Sequence, residues 1–327
     1  MKATIRGMGW VTPLGRDLDE VFAFFEKGIV PDAETLKSPF ENERGSVFRV
    51  SATTVEDAAA YPRLRRSSLI SHFALAAATD AVARAGLSPE ELTRTALVFA
   101  SSDGGVIYTR RFYTDIAERG EGTGSPLLFP ETVYNAPASH IAARLGLQGE
   151  SVTLVGDATA GFHALQAGAE FLATEDADFC LVCAAQEIDW VTCEAYQRWR
   201  NMEKAIQTAP FSEGAAAIVL ARTGHGCRIE TSQEISKTET PPSLIVSSSS
   251  GTNLDKIEQE SLCNLSTNIP SIAPKYVLGE SFACSAVQQV IVGALALAPG
   301  RDAVSALIST VGFDRQFSAL FLTESDR

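Results

Sequence analysis

The stretch Thr153-Leu154-Val155-Gly156-Asp157-Ala158-Thr159-Ala160-Gly161-Phe162-His163-Ala164-Leu165 is where the chain turns from one kind of pattern to another. A short β-rich run at 151–155 gives way, past Gly156 and Asp157, to small and apolar residues without a polar stripe, which read as a helix over 160–173. A helix apolar on all sides is expected between layers of sheet. A second such helix is expected over 281–298. Each is followed by two short apolar runs, 178–184 and 215–221 after the first, 303–310 and 318–323 after the second. The order therefore repeats in shortened form. The chain reads as two pseudo-duplicated halves, 1–222 and 223–327, joined near Thr223-Gly224-His225-Gly226.

Outward from these landmarks, further strands are expected at 4–10, 96–101, 227–230 and 243–247. Helices are expected at 18–26 and 68–85, ending at Gly28 and Gly86, and at 138–145, with Asn135-Ala136-Pro137 before it and Gly146 as its stop. Most of the strands are continuously apolar, as strands covered on both faces are. Alternating strands and helices imply an α/β architecture with largely parallel sheets. The polar stretch 231–242 reads as a surface loop.

The 327 residues are 45% hydrophobic and 20% charged, enough to bury a large core. Forty acidic against 27 basic residues give a net charge of −13, which repels phosphate backbones and anionic lipid. No nucleic acid and no membrane partner is expected. The six cysteines are dispersed. Cys180-x-x-Cys183 lies in an apolar run and has no second Cys/His pair at zinc spacing, so it reads as two thiols on a buried strand. The start, from Met1 to Arg6, lacks the apolar stretch of a signal peptide, and no run approaches membrane-spanning length. A soluble, cytoplasmic protein is the expectation.

In this order, several motifs resemble those of the β-ketoacyl-acyl-carrier-protein synthases, a family with the thiolase fold. Ile5-Arg6-Gly7-Met8-Gly9-Trp10-Val11-Thr12-Pro13-Leu14-Gly15 is similar to the family's first strand and turn. Phe129-Pro130 with Asn135-Ala136-Pro137-Ala138-Ser139-His140 resembles the segment before the nucleophile strand. Gly214-Ala215-Ala216-Ala217-Ile218-Val219-Leu220 looks like the strand that ends the first half. Ser250-Gly251-Thr252 with Asp255 and Glu258, then Lys275 with Gly279-Glu280-Ser281, then Gly312-Phe313 resemble the motifs of the second. The resemblance implies a five-layered αβαβα fold and a dimer paired through edge strands beside the active sites.

Working members of the family carry a cysteine at a helix N-terminus, where the helix dipole favours thiolate, and two histidines that stabilise an enolate oxygen. Anchored on His163, the cysteine position falls on Ala158. The first histidine position is Ser250 and the second is Glu280. A methyl group can neither attack a thioester nor carry an acyl chain. No cysteine occurs in 151–165 and no histidine in 243–300, so a shift in alignment restores none of the three. The resemblance thus implies a chain that is no enzyme on its own, similar to chain-length factors. Such subunits pair with an active ketosynthase in type II polyketide, polyene or fatty-acid-like synthesis and help shape its acyl tunnel.

Several residues carry the alternatives. A self-sufficient thioester enzyme would act through a displaced nucleophile, either Cys284 near the start of the last long helix or a serine in 247–250. A homodimeric acyl-binding scaffold is the third possibility. Phe313 matches a loop phenylalanine that gates the acyl pocket in active relatives, but Asp314-Arg315-Gln316 replaces the flanking glycines, favouring packing over gating. Asp157 and Glu280 are the pair of carboxylates that could meet in the remnant pocket, read as filling it. His72, His140, His163 and His225 show no metal-ligand spacing, and His163 reads as a satisfied core histidine. Asp103-Gly104-Gly105 begins no nucleotide-binding pattern. No cofactor and no metal is expected. The acyl carrier protein, typically acidic, is expected to dock mainly on the active partner, with Arg63, Arg65, Arg66, Arg110 and Arg111 at most assisting.

Overall fold

The computed structural model describes residues 2–39, 44–174, 177–202, 208–231, 241–265 and 268–324. Most of the expected loop at 231–242 lies outside them. In chain order the strands are β1 (Lys2–Val11), β2 (Ala33–Lys37), β3 (Arg44–Phe48), β4 (Thr95–Ser101), β5 (Ser151–Val155), β6 (Phe179–Gln186), β7 (Phe211–Ser212), β8 (Gly214–Ala221), β9 (Cys227–Thr231), β10 (Leu244–Val246), β11 (Ser271–Ile272), β12 (Ser305–Val311) and β13 (Phe317–Glu324).

Ten of them form one hydrogen-bonded series, β11-β10-β12-β13-β9-β1-β8-β6-β4-β5. Within each half the strands, numbered by their appearance, lie in the order third, second, fourth, fifth, first. Strand direction repeats as well: β4 runs parallel to β5 and β6 as β10 does to β11 and β12, and β8 opposes β6 as β13 opposes β12. The halves are thus duplicates in topology and not merely in order. The expectation of largely parallel sheets is corrected here, because β1, β8, β9 and β13 all pair antiparallel. A short turn, as between β12 and β13, can only return a strand antiparallel to its neighbour.

Helices Ala158–Ala173 and Ala283–Ala296 lie at the centre and touch strands of both halves. They cross closely because Gly161 has no side chain: a Cβ there would stand 2.2 Å from the Ala283 carbonyl oxygen. That crossing brings the two helix starts together. Helices Leu69–Ala85 and Ala136–Leu145 cover the other face of the first half. Gly7 and Gly9 of β1 admit the alanine-rich face of Leu69–Ala85, where a Cβ on Gly7 would meet the Ala81 carbonyl oxygen at 2.3 Å. Over the second half the corresponding layer holds the eight-residue helix Leu254–Ser261. These are the five layers, the last of them trimmed.

Cys180 and Cys183 are fully buried on β6, three residues apart and hence on opposite faces, Cys180 in the central core and Cys183 in the outer one. The central helix is less enclosed than its composition suggests. His163 and Glu170 are exposed along one stripe, so the reading of His163 as a core histidine does not hold. Residues 163, 166/167 and 170 recur at helical spacing on the side beside the edge strand β5, which no further strand covers.

Candidate functional site

The chain enters helix Ala158–Ala173 directly from β5. Asp157 is its N-cap: one carboxylate oxygen accepts from the Thr159 backbone N–H at 3.0 Å and from the Thr159 hydroxyl at 2.8 Å. The other accepts from the backbone N–H of Phe313. One side chain therefore both caps the helix and anchors the turn between β12 and β13. Ala158, the first helical residue, is buried and presents only a methyl group.

Glu280 precedes the second central helix and is also buried. Its carboxylate pairs with the Lys275 ammonium at 2.7 Å, with both side chains less than 5% exposed. It also accepts from the Phe282 N–H at 2.9 Å and the Ser285 hydroxyl at 3.1 Å. A buried carboxylate needs such compensation, because its charge is otherwise stripped of water. The Phe282 backbone is held at φ 52°, a region costly for a residue with a Cβ. Its fully buried ring and the Glu280 bond hold it there. No hydrogen bond joins Asp157 to Glu280 among the described residues; each has its own partners.

Ser250 completes the set of three. Its N–H donates to Asp255 at 3.0 Å, and its carbonyl accepts from the Ala209 N–H at 2.8 Å. The Pro210 carbonyl in turn accepts from the Glu280 N–H at 2.8 Å, and the Ser212 N–H donates to the Glu280 carbonyl at 2.9 Å. Segment 209–212 thus runs as a strap across Ser250 and Glu280. The serines before Ser250 serve the same loop: Ser247 donates to Glu258 at 2.6 Å and Ser249 to Asp255 at 2.7 Å.

Four rings converge beside these positions. Tyr196, from helix Trp190–Met202, lies 4.4 Å from Phe282 and 4.9 Å from Phe313 between ring centroids; Phe211 of β7 lies 5.8 Å from Phe282. Burial pushes the Tyr196 hydroxyl well above its usual range, and the Asp103, Asp157 and Glu280 carboxylates act in the same direction. Tyr196 therefore sits in the field of the acids from both helix starts. Phe313 packs in this cluster, and its turn is closed by bonds from Gly312 N–H to the Gln316 carbonyl (2.9 Å) and from Arg315 N–H to the Gly312 carbonyl (3.0 Å). The sequence singled out Phe313 but not Tyr196, Phe211 or Phe282, because nothing in the sequence marks rings that converge from three separate segments.

Cys284 is fully buried, and desolvation pushes its thiol up to about 12, which leaves little thiolate near neutral pH. His140 bonds Glu131 at 2.8 Å and lies 3.2 Å from the Ser67 hydroxyl; His72 bonds the Leu64 carbonyl at 3.0 Å; His225 is exposed. Arg110 forks onto Asp189 at 2.8 and 3.0 Å, whereas Arg63, Arg65 and Arg66 point into solvent. No group of three or more metal-ligating side chains occurs among the described residues. No described helix is long and apolar enough to cross a membrane.

Two mirrored five-strand orders around paired central helices, with their starts converging on one site, define a thiolase-fold ketosynthase-like protein. The profile of the beta-ketoacyl synthase N-terminal domain matches residues 3–227, and the chain belongs to that family. Among curated proteins it is 22% identical over 245 residues to 3-oxoacyl-(acyl-carrier-protein) synthase 2 of Coxiella burnetii, covering 68% of this chain and 58% of that one. It is 23% identical over 256 residues to the protein of the same name from Rhizobium meliloti, covering 68% and 60%. The matched region thus spans less than two thirds of either relative. Among solved structures, the ishigamide ketosynthase/chain length factor superposes with a TM-score of 0.82 at 16% identity over 99% of both chains. A type II PKS ketosynthase in complex with its acyl-carrier protein gives 0.76 at 16% identity over 99% of both. A beta-ketoacyl synthase from Burkholderia phymatum gives 0.79 at 16% identity, over 99% of this chain and 100% of that one. These likenesses establish the fold.

Proposed function

We propose that this chain is a ketosynthase-like subunit of the chain-length-factor type, without a nucleophile of its own, which pairs with an active β-ketoacyl-acyl-carrier-protein synthase in polyketide, polyene or fatty-acid-like synthesis. The observation that carries this reading is the set of side chains at the two helix starts. Ala158 offers only a methyl group, Ser250 and Glu280 are tied into hydrogen bonds, and four aromatic rings pack against one another alongside. Loss of one preorganised oxyanion donor costs roughly 10²–10³ in rate, and here neither of the two histidine positions carries a histidine. That two of the similar structures are named for a ketosynthase/chain length factor and for a ketosynthase with its acyl-carrier protein supports the choice of partners.

The surface supports a partner too. β5 is an edge strand, and at its end Val155 is 50% exposed. Nearby, Tyr134 packs on Gly104 just beyond β4, and Leu127, Phe129 and Val133 of the same segment are also exposed. An open strand edge beside exposed large apolar side chains is a surface that another subunit covers. The alternative of a self-sufficient enzyme acting through Cys284 is disfavoured by the burial of that thiol. Co-expression with ketosynthases encoded alongside this chain tests the proposal: one is expected to co-purify and to condense acyl-carrier substrates only in its presence. Thioesterase or condensing activity of this chain alone, abolished by Cys284→Ala, would overturn it.

A further inference from the structure

The ten-strand series is not sealed evenly where its halves meet. β1 pairs with β8 over Thr4–Val11 but with β9 only over Lys2–Thr4, so past Thr4 its second edge parts from β9. A cavity of about 450 Å³ opens in this wedge, within the roughly 300–1,000 Å³ range of small-molecule sites and towards its lower end. Its floor is apolar and buried, made by Ile5 of β1, Leu18 at the start of the first helix, and Ala294 and Leu297 at the end of the second central helix.

Its rim is basic on a chain that is strongly acidic overall. Arg6, Arg84 and His225 line it against a single carboxylate, Glu324. Arg6 is exposed and within electrostatic reach of the Glu91 carboxylate, and its guanidinium lies about 4.0 Å from where a Cβ on Gly224 would stand, beside His225. Arg84 is held in place by donating to the Met8 carbonyl at 3.0 Å and lies 3.9 Å from the Asp80 carboxylate, so the free positive charge of the rim rests mainly on Arg6. A larger cavity, of about 750 Å³ between the first helix and β11, lacks this polarity. Its arginine, Arg301, already pairs with Glu26 and lies 4.3 Å over the Phe22 ring, and Asp302 adds a further negative charge. The lining charges thus favour an anion in the wedge over the larger groove.

We propose that the wedge between β1 and β9 binds a medium-chain fatty acid, its carboxylate between Arg6 and His225 and its alkyl tail along Ile5, Leu18, Ala294 and Leu297. Charge-assisted bonds fix the head, and burial of the methylenes holds the tail. The site is separate from the remnant ketosynthase pocket and does not depend on the function proposed for it.

Calorimetric titration of the purified chain with decanoate tests this, with decanol as the tail-only control and acetate as the head-only control. Decanoate is expected to bind at one site, with decanol weaker by about tenfold or more and acetate giving no binding at comparable concentration. Arg6→Glu, an exposed charge reversal, is expected to weaken decanoate by about tenfold or more, and Ala298→Trp, at the cavity margin, to abolish its binding. Thermal melts of both variants check their folding, and Arg6→Glu carries the test if the bulkier variant does not fold. Absence of decanoate binding to the wild-type chain, or binding that Arg6→Glu leaves unchanged, overturns the proposal.

Discussion

Helices Ala158–Ala173 and Ala283–Ala296 hold equivalent places in the two halves, yet their first turns are secured by different chemistry. The first uses a cap at the margin of the core, where Asp157 bonds Thr159 and, across the fold, Phe313. The second relies on a buried ion pair, Lys275 with Glu280, and on a strained Phe282 backbone. The difference teaches that one topology fixes where two helix starts meet but leaves open how each is stabilised. A peripheral cap can be lost at modest cost. A buried charge cannot lose its partner without exposing the whole desolvation penalty.

The largest effect should come from breaking the second arrangement. Lys275→Met leaves the Glu280 carboxylate uncompensated and is expected to cost roughly 3–5 kcal/mol in urea unfolding. The double variant Lys275→Met/Glu280→Leu should recover most of that. A double variant as unstable as the single one would show that the ion pair is not what Glu280 depends on.

The next effect lies outside both helix starts and supplies a contrast in sign. Glu187 is buried, and desolvation raises its carboxyl to about 7 although Ser68, Ile70 and Ile107 donate to it. The folded state then holds a proton that the unfolded state releases near pH 4.5. The stability associated with that proton is present below pH 4.5 and lost as pH rises towards and beyond 7, by about 3 kcal/mol in all. Glu187→Gln should flatten this fall in the urea midpoint between pH 5 and 8; an unchanged slope would assign it to other groups.

Opening the ring cluster between the helix starts comes third. Tyr196→Ala should destabilise by about 2–3 kcal/mol, less than truncation of a fully enclosed aromatic, because Tyr196 is only partly buried. In the proposed complex with an active synthase, product length should be read alongside; a stability loss below about 0.5 kcal/mol would mean that the ring does not seal the site. The smallest effect is expected at the first helix start. Asp157→Ala should cost about 1 kcal/mol, with Asp157→Asn retaining most of the cap. A loss as large as that of Lys275→Met would erase the distinction between the two helix starts.

Much of the fold was legible in the sequence because burial leaves a compositional trace. Strands covered on both faces are continuous apolar runs, and the glycines after Leu69–Ala85 and Ala136–Leu145 adopt the left-handed conformation that ends a helix, with φ 67° at Gly86 and 75° at Gly146. Hidden elements are those that lack this trace. Helix Val106–Arg119 fully buries none of its residues, and β2 alternates no apolar face, being almost wholly exposed in a three-stranded sheet with β3 and β7. Helix Trp190–Met202 carries the ring that closes the site, but its mixed polar surface marks no core stripe. His163 misled for a related reason: an apolar helix can still leave one narrow stripe open beside a sheet edge.

The sequence by itself determined that this chain repeats one order of elements twice and that the turn into its first central helix carries Ala158, a bare methyl group, with no cysteine anywhere in 151–165. Both are properties of residues in order, and no folding is needed to read them. Only the tertiary structure decided that Tyr196, Phe211, Phe282 and Phe313 converge into one cluster, that the strap 209–212 ties Ser250 to Glu280, and that Glu280 is paired with Lys275. Ring contacts and buried ion pairs depend on how segments distant in the chain close against one another. The energy of each is set by the water excluded when they do.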